Sequence, residues 1–367
     1  MTIPVRMIQM ADPSLNNGEI HAIRDVLNSG ILAQGPVVAE FEEQFATLIG
    51  VKHAIAVNSG TAALHTALLA AGVSEGDEVI TTPFSFIATA NAIVYCGAKP
   101  VFADIDKSTF NIDPSLIRDK ITPKTRAVLV VHLYGQPCDM VEITKICSEN
   151  DLVLIEDACQ AHRAEYQGRR VGSFGLGCFS FYPTKNMTTG EGGIITTSDA
   201  KVAEKARSMR SHGQSERYLH ESLGYNYRMT DITAAIGICQ LKKIYEATQR
   251  RIANAMFLTK AIQQIEGLVP PAIAPERTHV FHQYTIRITD DFELSRDALK
   301  DKLLQKGIIT GIYYPLPIYQ QPLYQKRGYN DHLPVSEKAV REVLSLPVHP
   351  RVSELDLEFI VQGLRDV

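Results

Sequence analysis

From about residue 50 to residue 200 the chain alternates short apolar runs with stretches of helical periodicity, and that alternation restricts the fold more than any other feature. The run at 53–57 ends at Asn58-Ser59-Gly60-Thr61, and residues 62–71 then carry Leu64, Leu68 and Leu69 at helical spacing. The same order of strand, turn and helix recurs at 77–81 before a helix from about Ser85. It returns at 100–104, at 127–132 before a helix over 140–150, and at 152–157. Runs this rich in Val, Ile and Leu, alternating with helices, predict an α/β fold: a mostly parallel central sheet covered by helices on both faces. Ligands gather at the C-terminal ends of the strands in such a sheet.

Two later runs, 178–182 and 193–197, are too close together for a crossover helix, so an antiparallel excursion is expected around the loop between them. Residues 200–210 and 231 to about 265 read as helices, the second long enough to link two domains. Segments 283–288, 295–306, 308–314 and 336–344 suggest a smaller α+β unit. The expected division is a large domain over 1–245, with an N-terminal arm, and a small C-terminal domain over 246–367. No internal repeat or low-complexity segment is evident.

A chain of 367 residues, 45% of them hydrophobic, can bury the core that two such units need. Its net charge of -4 comes from interspersed acids and bases; without a basic stripe, nucleic acid is not an expected partner. The six cysteines form no Cys-x-x-Cys pair and read as reduced thiols of a cytoplasmic protein. Met1 to Met10 is too polar and too short for a signal peptide. No apolar run approaches the roughly 18 residues of a membrane span. The histidines show no His-Glu-x-x-His spacing, and no metal site is expected.

The chemistry concentrates around the loop between the two antiparallel runs. Lys185 lies in Pro183-Thr184-Lys185-Asn186-Met187-Thr188-Thr189-Gly190, fenced by small and hydroxylated residues, and Asp157 ends the run at 152–157. A loop lysine is usually a solvated charge. Partly desolvated, it falls below its reference pKa of about 10.4 and becomes a nucleophile able to form an imine with a cofactor aldehyde. The arrangement reads as an anchor for pyridoxal 5'-phosphate (PLP). Asp157 would pair with the pyridine nitrogen, an opposite charge moving a pKa by about 1 to 3 units; the alternative is a helix N-cap. Glu156, its neighbour, points to the other face of the strand. Gln160 is a partner for the cofactor's phenolic oxygen. Ser59-Gly60-Thr61 opens a helix whose N-terminus suits an anion and, with Ser180, forms a candidate phosphate cup; a plain capping turn is the alternative. Pro83-Phe84-Ser85-Phe86 follows a strand, where an aromatic side chain would cover a flat ring or else belong to the core. Gly190-Glu191-Gly192-Gly193 lacks P-loop order, and no Rossmann glycine fingerprint occurs.

These motifs resemble those of the PLP-dependent sugar aminotransferases of the DegT/DnrJ/EryC1/StrS family, a branch of the fold-type I transaminases. The resemblance covers nearly the whole chain. It runs from Phe41-Glu42 and Val57-Asn58-Ser59-Gly60-Thr61 through Pro83-Phe84-Ser85-Phe86 and His132-Leu133-Tyr134-Gly135-Gln136. It continues in Glu156-Asp157-Ala158, Pro183-Thr184-Lys185-Asn186 and Gly224-Tyr225-Asn226-Tyr227-Arg228. It implies that Lys185 is the Schiff-base lysine, that Asp157 binds the pyridine nitrogen and that Gln160 binds the phenolic oxygen. It implies further that Phe86 stacks on the ring and that Gly60, Thr61 and Ser180 hold the phosphate. Asn226 would reach the phosphate in a neighbouring subunit, making a homodimer with shared active sites.

The implied reaction is a ping-pong transamination. L-Glutamate converts the cofactor to pyridoxamine 5'-phosphate, and a nucleotide-linked keto sugar then takes the amino group. Tyr314 and Tyr319 are expected toward the sugar, and Arg228 is a candidate partner for the glutamate carboxylate. Three departures leave the substrate open: Arg163 where relatives commonly have glycine, Ala33 where a hydroxyl is frequent, and Tyr319 where many have histidine. A free keto-cyclitol of the scyllo-inosose type is the alternative acceptor, and a non-catalytic regulatory member is the alternative class. The family's dehydratases carry histidine where this chain has Lys185.

Overall fold

The computed structural model describes residues 7–366; residues 1–6 of the expected large domain and Val367 of the small one lie outside the described residues. Two helices without a sequence assignment come first: α1 (Asn17–Ser29), closed by a capping box between Asn16 and Glu19, and α2 (Pro36–Ile49). The chain then runs β1 (His53–Val57), α3 (Gly60–Ala70), β2 (Glu78–Thr81), α4 (Ala88–Tyr95), β3 (Lys99–Phe102) and β4 (Thr125–Val131). It continues through α5 (Met140–Glu149), β5 (Val153–Asp157), β6 (Leu176–Ser180), β7 (Gly193–Thr197) and α6 (Ala200–Arg210). The seven strands form one sheet in the order β1-β7-β6-β5-β4-β2-β3. Strands β2 to β6 pair in parallel, whereas β7 lies antiparallel between β1 and β6, as the short loop from 181 to 192 requires. Every residue of β6 and β7 is buried, which is why their sequences are apolar or small on both faces.

Helix α7 (Asp231–Ile262) is 32 residues long and unbroken. It spans about 48 Å at 1.5 Å per residue. Beyond it lie β8 (Leu268–Val269), β9 (Tyr284–Ile288), α8 (Arg296–Gln305), α9 (Pro322–Lys326), α10 (Pro334–Glu342), β10 (Val343–Leu346) and α11 (Glu354–Arg365). The last three strands make a separate antiparallel sheet. The first half of α7 gives Ala234, Ile238 and Ile244 to a cluster with Phe41, Phe45 and Phe181; its second half gives Ala255, Leu258 and Ile262 to the core around the small sheet. The expected boundary at residue 245 thus falls inside one helix, at the point where its packing partners change. Two pieces cross that division. Ile8 packs in the C-terminal core and bridges Ile308, while Ala339, Val340 and Val343 join the core of the large sheet. The segment 308–314 forms only isolated bridges, at Ile308 and Gly311. Among the described residues no helix is long and apolar enough to cross a membrane.

Glu156 shows how the sheet aims its neighbour. Its fully buried carboxylate accepts the N–H groups of Gly172, Phe174 and Gly175, each at 2.8 Å, and lies 3.1 Å from His132 Nε2. This locks the turn before β6 against the end of β5, on the face opposite Asp157. Removing the acceptor strands one buried and two part-buried donors, at about 1–3 kcal/mol for each that water does not reach. Glu156→Ala should therefore lower the unfolding free energy by about 3 kcal/mol or more, measured by chemical denaturation; a loss below about 1 kcal/mol would contradict this role.

Candidate active site

The C-terminal ends of β1, β2, β5 and β6 converge on a cavity of about 750 Å³. Helix α3 opens directly after β1. Ser59 caps it by accepting from the N–H of Ala62 at 3.1 Å, and Gly60 and Thr61 line the cavity. A Cβ at Gly60 would lie 2.6 Å from Ser180 Cβ and 3.2 Å from Cys159 Sγ, so only glycine lets the helix end sit against the end of β6. Ser180 is nearly buried there.

Asp157 closes β5 and is 5% exposed. Its carboxylate accepts from Thr89 Oγ1 at 2.8 Å and from the Cys159 N–H at 3.2 Å, and Thr89 lies 2.9 Å from the Ser85 hydroxyl. Among the described residues no cation pairs with it within bonding distance, so a buried carboxylate faces the cavity with acceptor capacity to spare. Lys185 comes from the loop after β6, whose turn is closed by its own N–H to the Tyr182 carbonyl at 2.9 Å. Desolvation pulls its ammonium below the ordinary lysine value, opposed by the nearby Cys159 and Asp157. Burial, with Asp157 beside it, raises the Cys159 thiol well above its ordinary value. Burial prevails, and the amine becomes a better nucleophile.

Gln160 is fixed by two contacts: its carbonyl accepts the Tyr134 N–H at 2.8 Å, and its amide donates to the Tyr314 hydroxyl at 3.2 Å. Phe86 is 57% exposed at the cavity wall, its ring 6.3 Å from that of Tyr314. The structure thus brings Gly60, Thr61, Phe86, Asp157, Gln160, Ser180, Lys185 and Tyr314 to one cavity. Asn226 and Arg228 do not line it. Asn226 is exposed and bridges Ser211 through its backbone, while Arg228 bridges Val57. Tyr319 is a correction. Expected toward the substrate, it is buried with Phe102 and Tyr324, and its hydroxyl donates to Glu337 at 2.7 Å. Arg163 has φ +70°, the left-handed region that explains a preference for glycine, and its guanidinium lies over the Tyr245 ring. Ala33 is exposed, and its carbonyl accepts the Asp231 N–H.

Thr89, His282 and Gln283 also line the cavity and were not among the expected site residues. Thr89 stands one helical turn after Phe86, a spacing that would have revealed it; His282 and Gln283 arrive from the chain beyond α7, which no local pattern announces. Among the described residues no group of three or more His, Cys, Asp or Glu could hold a metal ion.

A glycine-lined helix end, a desolvated amine and a buried carboxylate fit PLP: Gly60, Thr61 and Ser180 would hold a phosphate, Lys185 an aldehyde and Asp157 a ring nitrogen. Residues 13–365 match the DegT/DnrJ/EryC1/StrS aminotransferase family. The whole chain is 41% identical to 98% of the pleiotropic regulatory protein of Geobacillus stearothermophilus. It is 39% identical to GDP-perosamine synthase of Caulobacter vibrioides over 98% of each chain. The crystal structure of S. venezuelae DesV matches with a TM-score of 0.95, at 35% identity and over 98% of both chains. The chain belongs to the DegT/DnrJ/EryC1/StrS aminotransferase family.

Proposed function

We propose that this protein is a PLP-dependent aminotransferase that moves the amino group of L-glutamate onto a nucleotide-linked keto sugar. The observation that carries the reading is the meeting of the desolvated Lys185 amine with Asp157 and the open end of α3 in one cavity. The name of the Caulobacter relative, GDP-perosamine synthase, supports a sugar acceptor. When bound, PLP supplies an aldehyde carbon and an electron-accepting ring. Asp157, oriented by Thr89, keeps a proton on the ring nitrogen. Lys185 Nζ takes the proton from the amino acid's α-carbon and redelivers it within the cavity, then runs the same transfer in reverse with the acceptor. The balance is L-glutamate plus keto sugar nucleotide to 2-oxoglutarate plus amino sugar nucleotide. Phe86 covers one ring face, and Gln160 donates to the phenolic oxygen. Asn226, exposed and outside its own chain's cavity, serves the phosphate of a second copy in a homodimer. The six free thiols suit a cytoplasmic setting.

The name of the Geobacillus relative favours a regulatory reading as the second possibility. The colour of the purified protein separates the two: a transaminase loaded with PLP bleaches with L-glutamate and recovers with a keto acceptor, whereas a regulator keeps its colour.

Lys185→Ala should reduce turnover by at least about 10²–10⁴-fold. Hydride reduction of PLP-saturated wild-type protein should place the label on Lys185 by peptide mass spectrometry; a label elsewhere would refute the assignment. The depressed Lys185 value also sets a pH dependence for the cofactor-free protein. Between that folded value and the ordinary value of about 10.4, the unfolded chain binds more protons, so stability rises with pH across the window. Denaturation midpoints of wild-type protein minus those of Lys185→Met should show this rise.

A further inference from the structure

One helical turn after Thr61, helix α3 carries a buried histidine that no step of the transamination uses. His65 is 3% exposed, and three tyrosine rings pack around it, with centroids at 5.6 Å for Tyr95, 5.0 Å for Tyr225 and 6.0 Å for Tyr227. Tyr225 and Tyr227 stack on each other at 4.8 Å, their planes 7° apart. His65 Nδ1 lies 3.2 Å from the Tyr227 hydroxyl, and its Nε2 has no partner. Burial lowers the imidazole from its ordinary value and raises the phenol, so at pH 7 a neutral ring meets an intact hydroxyl.

The two tyrosines flank Asn226. The Tyr225 N–H donates to the Met209 carbonyl at 2.7 Å, and the Tyr227 N–H to the Arg210 carbonyl at 3.0 Å. In return, the Tyr225 carbonyl accepts the His212 N–H at 2.9 Å, and the Tyr227 carbonyl accepts the Asn58 N–H at 2.8 Å. The segment is thus extended backbone held between 209–212 and Asn58, and its side chains alternate in direction. Tyr225 and Tyr227 turn toward His65 on α3. Asn226 turns the other way and is exposed; among the described residues its side-chain amide has no hydrogen-bond partner. Main-chain bonds fix where the segment runs, and the tyrosine stack on His65 fixes its roll.

We propose that His65 is a positioning residue for the cofactor site of the second copy in the homodimer. Through Tyr227, and the stack of Tyr227 on Tyr225, it sets the direction in which Asn226 leaves the surface. The inference rests on the reading of Asn226 as a phosphate ligand shared between two copies, and it deepens that reading. It also separates two roles of one helix: the first turn of α3 serves the phosphate of its own chain, and the next turn serves that of the other. Were His65 only packing for α3, its loss would be felt at Gly60 and Thr61 of its own chain.

Tyr227→Phe, which removes only the hydroxyl, should weaken PLP binding by about three- to tenfold, and His65→Ala by at least as much. Adding His65→Ala to Asn226→Ala should cost little more than Asn226→Ala alone, because nothing is left to position. The decisive measurement is PLP titration of a hybrid dimer, purified through two different tags, that joins a Lys185→Ala chain to a His65→Ala chain. Only the His65→Ala chain gives PLP its lysine-bound yellow colour, and the Asn226 that reaches this site comes from the chain whose His65 is intact. The yellow site should therefore bind PLP with wild-type affinity. An affinity as weak as in the His65→Ala homodimer would overturn the proposal. Additive losses in the double variant, or wild-type affinity in the His65→Ala homodimer, would overturn it as well. The hybrid of Lys185→Ala with Asn226→Ala tests the underlying reading: recovery there keeps the shared site standing whatever His65 does, and no recovery strikes the shared site and this proposal together. Should His65→Ala fail to fold, Tyr227→Phe takes its place in the same pairing.

Discussion

Neither Gly60 nor Gly193 has room for a Cβ, and this approach of backbone to backbone determines where the remaining parts of the cavity sit. Gly193 begins β7 opposite both Val57 of β1 and Ser180 of β6, and a side chain there would run into the Ser59 carbonyl. Three chain segments therefore meet at one point: the strand that leads into α3, the strand that leads to Lys185, and the strand that returns between them. The helix N-terminus is brought against the lysine loop by sheet register rather than by any bond between the two. Because β7 is antiparallel to both neighbours, the loop carrying Lys185 must turn back at the same edge where the parallel strands end.

Electrostatics then follows from packing. Lys185 is subject to opposed influences, burial favouring the neutral amine and Asp157 the charged one, and burial is the larger. Asp157 keeps its orientation through the Thr89 hydroxyl and the Cys159 N–H. Glu156, one residue earlier, spends its acceptors on the backbone of the adjoining turn. Consecutive carboxylates on one strand thus serve different ends because successive side chains of a strand point to opposite faces.

The large sheet was legible in the sequence because strands buried on both faces must be apolar throughout; the runs at 53–57 and 193–197 agree with the observed strands at both ends. That Lys185 and Asp157 share one cavity was legible because unusual neighbours in the chain surround each of them. What escaped reading depends on distant partners. Helix α1 buries only Glu19 and Val26, although Ile20, Ile23, Val26 and Leu27 give its sequence an apolar stripe at helical spacing. Tyr319 lies in a Pro- and Tyr-rich stretch that reads like a site wall, yet Phe102 and Glu337 draw it into a separate cluster. His282 and Gln283 enter the cavity only because Val280 and Gln283 bond the backbone at Gly135 and Tyr134. The expected division at 245 falls within a helix that belongs to two cores at once.

The amide of Gln160 carries two hydrogens. One is given to the hydroxyl of Tyr314, a residue from the far C-terminal half of the chain, and Tyr134, whose N–H the same glutamine accepts, donates its own hydroxyl to the Tyr313 carbonyl. A guest that takes only the spare hydrogen leaves this seam closed. One that demands both severs a tie across it, so a single glutamine makes the fastening of the tyrosine pair to the sheet sensitive to how its neighbour is occupied.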